Sequence, residues 1–234
     1  MKNNFTFCAS IKLKELEKTT TRDLTNVRHT IRSRMLKGEE VGTPDNIDSL
    51  ENLLKREYEL ELIAHEAFSR AEMIRAKKDP ESPKFKHELD LKMTRKKMEY
   101  VPKEQLDDYR KTIQEKVVCQ ENISTEDIAG QLLSKEFQSE RALKRISYEE
   151  ECISSGMDKE SPKLQTTVDL KMNQYDIGVL DPEKLKLYET QYKEKKSSGE
   201  EIDRNNTYFA LLSNRDQLQS QLDALVKQEE EKKL

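Results

Sequence analysis

Apolar residues along the chain fall three and four apart over long stretches, which places them on one face of a helix. Leu53, Leu60, Ala64, Ala67, Ala71 and Ile74 form one such stripe. Leu132, Leu143, Ile146 and Ile153 form a second, and Leu211, Leu218, Leu222 and Leu225 a third. Polar residues such as Glu57 and Glu150 interrupt and flank them. That pattern suits antiparallel helices sharing one buried face, with coiled-coil-like packing, rather than helices buried all round. Shorter stripes lie between the long ones: Phe85, Leu89, Met93 and Tyr100, then Leu164, Val168, Met172, Tyr175 and Val179. Ser82-Pro83 and Ser161-Pro162 predict the starts of these shorter helices. Serine accepts from the orphan N–H groups, and proline at the first helical position gives up a donor the helix does not use. Pro102 and Pro182 predict two more starts, and the capping-rich segments 49–52 and 125–127 predict the starts of the long helices.

An extended alternative competes in three places. Phe5, Phe7, Ala9, Ile11 and Leu13 alternate with polar residues, as do Phe85, His87, Leu89, Leu91 and Met93, and Val168, Leu170 and Met172. Period two is the strand pattern. The expected fold is therefore mainly α, with an α+β alternative in which Phe5–Leu13, Phe85–Met93 and Leu164–Met172 each supply one short strand.

The stripes recur. DPESPKFKHELDLKM at 79–93 and DKESPKLQTTVDLKM at 158–172 agree at nine of fifteen positions, 79 residues apart. Leu53-Leu54, Leu132-Leu133 and Leu211-Leu212 keep the same spacing, and LLKREY becomes LLSKEF. The sequence thus predicts three tandem copies of a helical unit of about 79 residues: 1–79, 80–158 and 159–234. Each unit reads as three parts, two shorter helices A and B and a long helix C. The first unit diverges at its start: IKLKEL at 11–16 resembles LDLKMT at 89–94, and GEEV at 38–41 resembles GEEI at 199–202. Val27 can be set against Leu106 and Leu185, with a gap in between. One such unit buries only about 60% of its unfolded surface, so neighbouring units are expected to cover one another's stripes. Linear stacking and closure about a pseudo-threefold axis both satisfy this.

Composition agrees with long helices: 34% hydrophobic, 38% charged, and only six Gly and six Pro in 234 residues. The net charge is −4, from 42 basic and 46 acidic residues. No third is strongly biased, which argues against a dedicated nucleic-acid arm. Three dispersed cysteines form no CxxC, so a reducing compartment is expected rather than a disulfide framework. The N-terminal MKNNFTFCAS lacks a long apolar segment, and no run approaches the roughly 18 apolar residues of a membrane span. A cytoplasmic protein without membrane contact is the expectation.

Candidate chemistry is sparse. His29, His65 and His87 have no His or Cys nearby, so no zinc spacing exists and no metal or cofactor is expected. His87 is replaced by Thr166 in the next unit. Cys152 follows three glutamates, a setting that disfavours a thiolate. GxSxG, GxGxxG and the P-loop are all absent. No catalytic residue is therefore assigned, and an enzyme would need a pocket formed between units. Asp90 and Asp169 share a DLKM tetrapeptide, which common ancestry explains without a special contact. Two basic clusters remain, one with Arg28, Arg32 and Arg34, the other with Lys92, Lys96 and Lys97. They could touch phosphates, but acidic neighbours interleave with them, and unit three has Asn173, Gln174 and Tyr175 where unit two is basic. The functional expectation is a non-enzymatic scaffold or adaptor that binds protein partners or a second copy of itself. The alternative is a nucleic-acid accessory protein using those basic faces. Exposed positions that diverge on an otherwise repeated frame are where a binding face is expected.

Overall fold

The computed structural model describes residues 2–38 and 49–231, with side chains from residue 15 onward. These residues form eight helices: α1 (Lys2–Leu36), α2 (Leu50–Arg75), α3 (Pro83–Met98), α4 (Lys103–Val118), α5 (Ile128–Ser154), α6 (Pro162–Val179), α7 (Pro182–Ser198) and α8 (Thr207–Glu231). There is no strand among the described residues, so the α+β alternative is overturned. Phe5–Leu13, Phe85–Met93 and Leu164–Met172 lie within α1, α3 and α6. In α3 the spacing of four decides: Phe85 and Leu89 are buried, while the alternating partners His87 and Leu91 are only partly covered.

The helix starts are where the capping residues predict them. Ser82 accepts from the Phe85 N–H and Ser161 from the Leu164 N–H, both at 3.2 Å, with proline next in the chain. Asp127 caps α5 through the Gly130 N–H, and Asn206 accepts from the Phe209 N–H at the start of α8. Asp181 caps α7 through the N–H groups of Glu183 and Lys184. Those bonds hold its carboxyl below the ordinary value. Helix ends show the same correspondence. Lys77 (φ +60°) and Gly156 (φ +92°) end α2 and α5, and Gln120 (φ +56°) and Gly199 (φ +73°) end α4 and α7. Glycine takes this left-handed conformation freely, whereas a side chain resists it by about 1–2 kcal/mol.

One expectation fails in the first third. Parts A and B were expected to be separate helices, yet α1 is continuous over 35 residues. The later breaks coincide with Pro102 and Pro182, and the segment 2–36 contains neither Pro nor Gly to interrupt the backbone hydrogen bonds.

The chain divides into two compact units, residues 1–100 and 101–234. The division falls inside the segment 80–158 rather than at a boundary of the sequence period. In the first unit α2 packs against both α1 and α3. Val27, Ile31 and Leu50 form one core, and Met73, Phe85 and Leu89, backed by Ile74 and Met93, form another. In the second unit α5 packs against α4 and α6, while α8 packs against α6 and α7. Its cores centre on Cys152, Leu164, Val168 and Met172, and on Ile177, Tyr192, Phe209 and Leu212.

Two of these cores are one arrangement met twice. Adding 79 to Met73, Phe85, Leu89 and Met93 gives Cys152, Leu164, Val168 and Met172. Beside each core a C helix reaches the following A helix through the same ion pair, Glu72–Lys92 in one case and Glu151–Lys171 at 2.8 Å in the other. Pairings run in opposite chain directions (Glu72 with Lys92 but Lys78 with Glu88), so α2 and α3 are antiparallel. α5 and α6 are likewise antiparallel, because Glu151 meets Lys171 while Arg141 meets Asp176.

Burial at one corresponding position differs sharply between thirds. Leu212 is 0% exposed and Leu133 2%, but Leu54 is 42% exposed. Leu212→Ala and Leu133→Ala should each lower stability by about 2–5 kcal/mol in urea unfolding followed by circular dichroism, and Leu54→Ala by under about 1 kcal/mol. Lys77→Gly and Gln120→Gly should each raise stability by roughly 0.5–1 kcal/mol, because strain at positive φ outweighs the chain entropy that glycine adds. A pH effect also follows. Bonds from Lys92 and Lys171 hold the Glu72 and Glu151 carboxyls below their ordinary value. Their stabilisation is present above the ordinary carboxylate range and fades as pH falls through the lowered values. A chain carrying Glu72→Gln and Glu151→Gln should lose less stability than the parent over that acid limb.

Candidate functional site

The two corresponding junctions differ at many positions, and four of these line a polar seam of the second unit. Where the α2–α3 junction has Leu62, Glu66, Thr94 and Lys97, the α5–α6 junction has Arg141, Arg145, Asn173 and Asp176. Arg141 and Arg145 lie one turn apart on α5, and Asp169 and Asp176 lie two turns apart on α6, so each pair shares a face. Arg141 grips Asp176 in a bidentate fork, Nε to Oδ1 at 2.7 Å and a terminal nitrogen to Oδ2 at 2.6 Å. The Asp176 side chain is only 7% exposed and that of Arg141 is 46% exposed. Arg145 donates to Asp169 Oδ1 at 2.8 Å and also lies 3.5 Å from Glu149. Asn173 donates through Nδ2 to the Leu211 carbonyl at 3.2 Å, which ties α6 to α8. Its Oδ1 is buried without a partner.

Two shallow grooves flank this seam. One, of about 370 Å³, runs between the end of α4 and α5, with Val117, Val118 and Ala142 in its wall. The other, of about 290 Å³, lies between α5, α6 and α8 and is lined by Asn173, Leu211 and Leu218. Arg141, Arg145 and Asp176 border both. The seam's carboxylates outnumber its cations: two guanidiniums face Asp169, Asp176 and Glu149. A carboxylate held in a bidentate fork is poorly placed for proton transfer, so this chemistry orients helices.

A second polar cluster joins α4, α7 and α8. Glu115 accepts from the Tyr208 hydroxyl at 2.6 Å and from Lys184 at 3.2 Å. Burial and the bond to Glu115 push the Tyr208 phenol well above its ordinary value. Burial, with Glu121 and Glu115 nearby, also pushes the Cys119 thiol up, which disfavours the thiolate. Cys152 is a buried member of the α5–α6 core.

The basic side chains singled out in the sequence are largely engaged inside the first unit. Arg28 on α1 reaches Glu57 at 2.7 Å and also Glu61, both on α2. Lys92 holds Glu72, and Lys96 holds Glu99 at 2.5 Å while lying over the Tyr100 ring. Arg34 also has a partner, Arg32 is exposed, and Lys97 is partly covered. Arg28 of the first cluster and Lys92 of the second are thus both paired with carboxylates of α2. Burial and the charge of Lys96 lower the His65 pKa, and Glu66 pairs with Arg70. Among the described residues no three His, Cys, Asp or Glu gather as a metal site, and no helix is long and apolar enough to cross a membrane. Asp90 is exposed and does not share the Asp169 contact, since the position corresponding to Arg145 is Glu66. The seam was not singled out from sequence. Its signal was the substitution of charged residues at otherwise repeated positions.

The unequal exposure of Arg141 and Asp176 makes their loss unequal. Arg141→Met strands a buried carboxylate and should lower stability by about 3 kcal/mol. Asp176→Leu leaves a guanidinium that can turn to water and should cost about half as much. The double variant should be more stable than Arg141→Met alone, and a thermal unfolding series of the three measures this.

The chain matches no known family model, and neither a curated protein nor a solved structure matches it significantly.

Proposed function

We propose that the chain is a three-unit helical repeat acting as a non-enzymatic scaffold or adaptor, engaging a protein partner or a second copy of itself through its helix surfaces. The observation that carries this reading is the doubled junction, in which one core and one ion pair recur 79 residues apart. A chain built by repeating a packing unit gains extended surface, the property scaffolds use. Three further correspondences support it. Ile31, Ile113 and Tyr192 are all buried where part B meets helix C. This sets Leu24, rather than Val27, against Leu106 and Leu185. Leu50, Ala129 and Tyr208 are buried at the start of each C helix. Finally, each B–C contact carries an ion pair to the same position of helix C: Arg28–Glu57, Arg110–Glu136 and Glu189–Arg215.

Large apolar side chains remain at the surface for such contacts, among them Met35, Leu36, Ile128 and Leu187. The nucleic-acid alternative draws on side chains that carboxylates of α2 and α3 already hold, so it has less support.

Sedimentation velocity over a hundredfold range of concentration, with and without a cell extract, tests the proposal. The expected result is a sedimentation coefficient that rises with concentration or with extract. A chain that stays monomeric in both counts against it. Tight, steeply salt-dependent capture of a DNA or RNA duplex, lost on neutralising Arg32 and Lys97, would favour the alternative.

A further inference from the structure

A tandem array of near-equivalent helices has a recognition problem of its own. The α2–α3 and α5–α6 cores occupy matching positions and are apolar in both, although only Met93 and Met172 are the same residue, and Glu72–Lys92 recurs as Glu151–Lys171. Apolar contact is non-directional, so these cores tell α3 from α6 by side-chain size alone, within one chain or between two. Repeat proteins characteristically misassemble in this way. Discrimination must come from positions that differ.

Several of those positions carry charge, and two of them, Glu66 against Arg145 and Lys97 against Asp176, differ in sign. At the α5–α6 junction Arg141 meets Asp176 and Arg145 meets Asp169. Seating α6 on α2 would set Asp169 against Glu66 and the buried Asp176 against Leu62. Seating α3 on α5 would set Lys97 against Arg141. The B–C contacts follow the same logic. Arg110 of α4 meets Glu136 of α5, whereas 79 residues later Glu189 of α7 meets Arg215 of α8, with the charges exchanged. Packing α7 on α5 would bring Glu189 to the buried Glu136, and packing α4 on α8 would bring Arg110 to Arg215. Like charges brought together and a buried carboxylate left unpaired both penalise the wrong partner.

We propose that these diverged ion pairs are an address system, keeping α6 from α2, α3 from α5, α7 from α5 and α4 from α8, within one chain and between copies of it. The proposal rests on the repeat reading above. It assigns Arg110, Glu136, Arg141, Arg145, Asp176, Glu189 and Arg215 a role in pairing specificity, apart from their share in stability.

Two full-length variants test it. The first gives α5–α6 the chemistry of α2–α3: Arg141→Leu, Arg145→Glu, Asn173→Thr and Asp176→Lys. The second, Arg110→Glu with Glu136→Arg, keeps the bridge and copies the polarity of α7 and α8. Each is unfolded in urea, refolded at roughly 0.1 mM, diluted, and sized by chromatography with light scattering. Exchanged dimers are expected to be about tenfold more abundant than in the parent, equivalent to about 1.4 kcal/mol of lost discrimination. They should persist on dilution, unlike reversible self-association. The parent refolded in about 1 M salt, where exposed charges are screened, should shift the same way. If both variants regain parental helicity and form no more persistent dimer than the parent, the address proposal is overturned. A first variant that fails to regain helicity speaks against equivalence of the junctions. The second needs no such equivalence, and its dimer yield then decides.

Discussion

The seating of a long helix's apolar edge against the helix that follows it is the contact on which the rest of the molecule depends. In both places where it is seen, four apolar side chains of matching position close over one another: Met73, Phe85, Leu89 and Met93, then Cys152, Leu164, Val168 and Met172. Each large side chain fully withdrawn from water contributes about 1.5–3 kcal/mol. With only 34% hydrophobic residues, a single unit has few such side chains, and the chain stays ordered by repeating the contact rather than by enlarging one core. Capping makes the repetition possible. Ser82 and Ser161, followed by prolines, fix where each following helix begins and therefore which of its faces turns inward.

Around this shared contact the polar residues are free to vary, and they do so where two helices meet. Most of the ion pairs are partly exposed and add little to stability individually. Asp176 and Glu136 are the exceptions, because their carboxylates are buried and depend on Arg141 and Arg110. One molecule thus combines an apolar core at corresponding positions of two junctions with charges that differ between them. Elsewhere burial pushes the Cys119 thiol and the Tyr208 phenol above their ordinary values, and Asp176 lies in a guanidinium fork.

Much of the fold was legible because it is set by local chemistry. Two Ser-Pro dipeptides, Pro102 and Pro182, and the capping segments at 49–52 and 125–127 located six of the helix starts without reference to tertiary contacts. What failed was informative. The alternation through His87 and Leu91 resembled a strand, but a helix stripe with one extra apolar neighbour produces the same pattern, and the cap upstream decides between them. Part B of the first third was expected as a separate helix, yet without a proline α1 runs on. The seam escaped notice because Arg141 and Arg145 look like an ordinary solvated turn until α6 brings Asp176 and Asp169 opposite them. Pairing across helices depends on register, which one strand of sequence does not carry. The grouping into 1–100 and 101–234 is likewise a property of packing, and no change of composition marks it.

Nuclear Overhauser contacts between side chains on facing helices test the recurring junction most directly. The account predicts cross-peaks from Met73 on α2 to Leu89 on α3, and from Cys152 and Tyr148 on α5 to Leu164 and Val168 on α6, in the full-length chain in solution. A helical protein that shows one set and lacks the other would contradict it, because the two junctions would then not be the same contact.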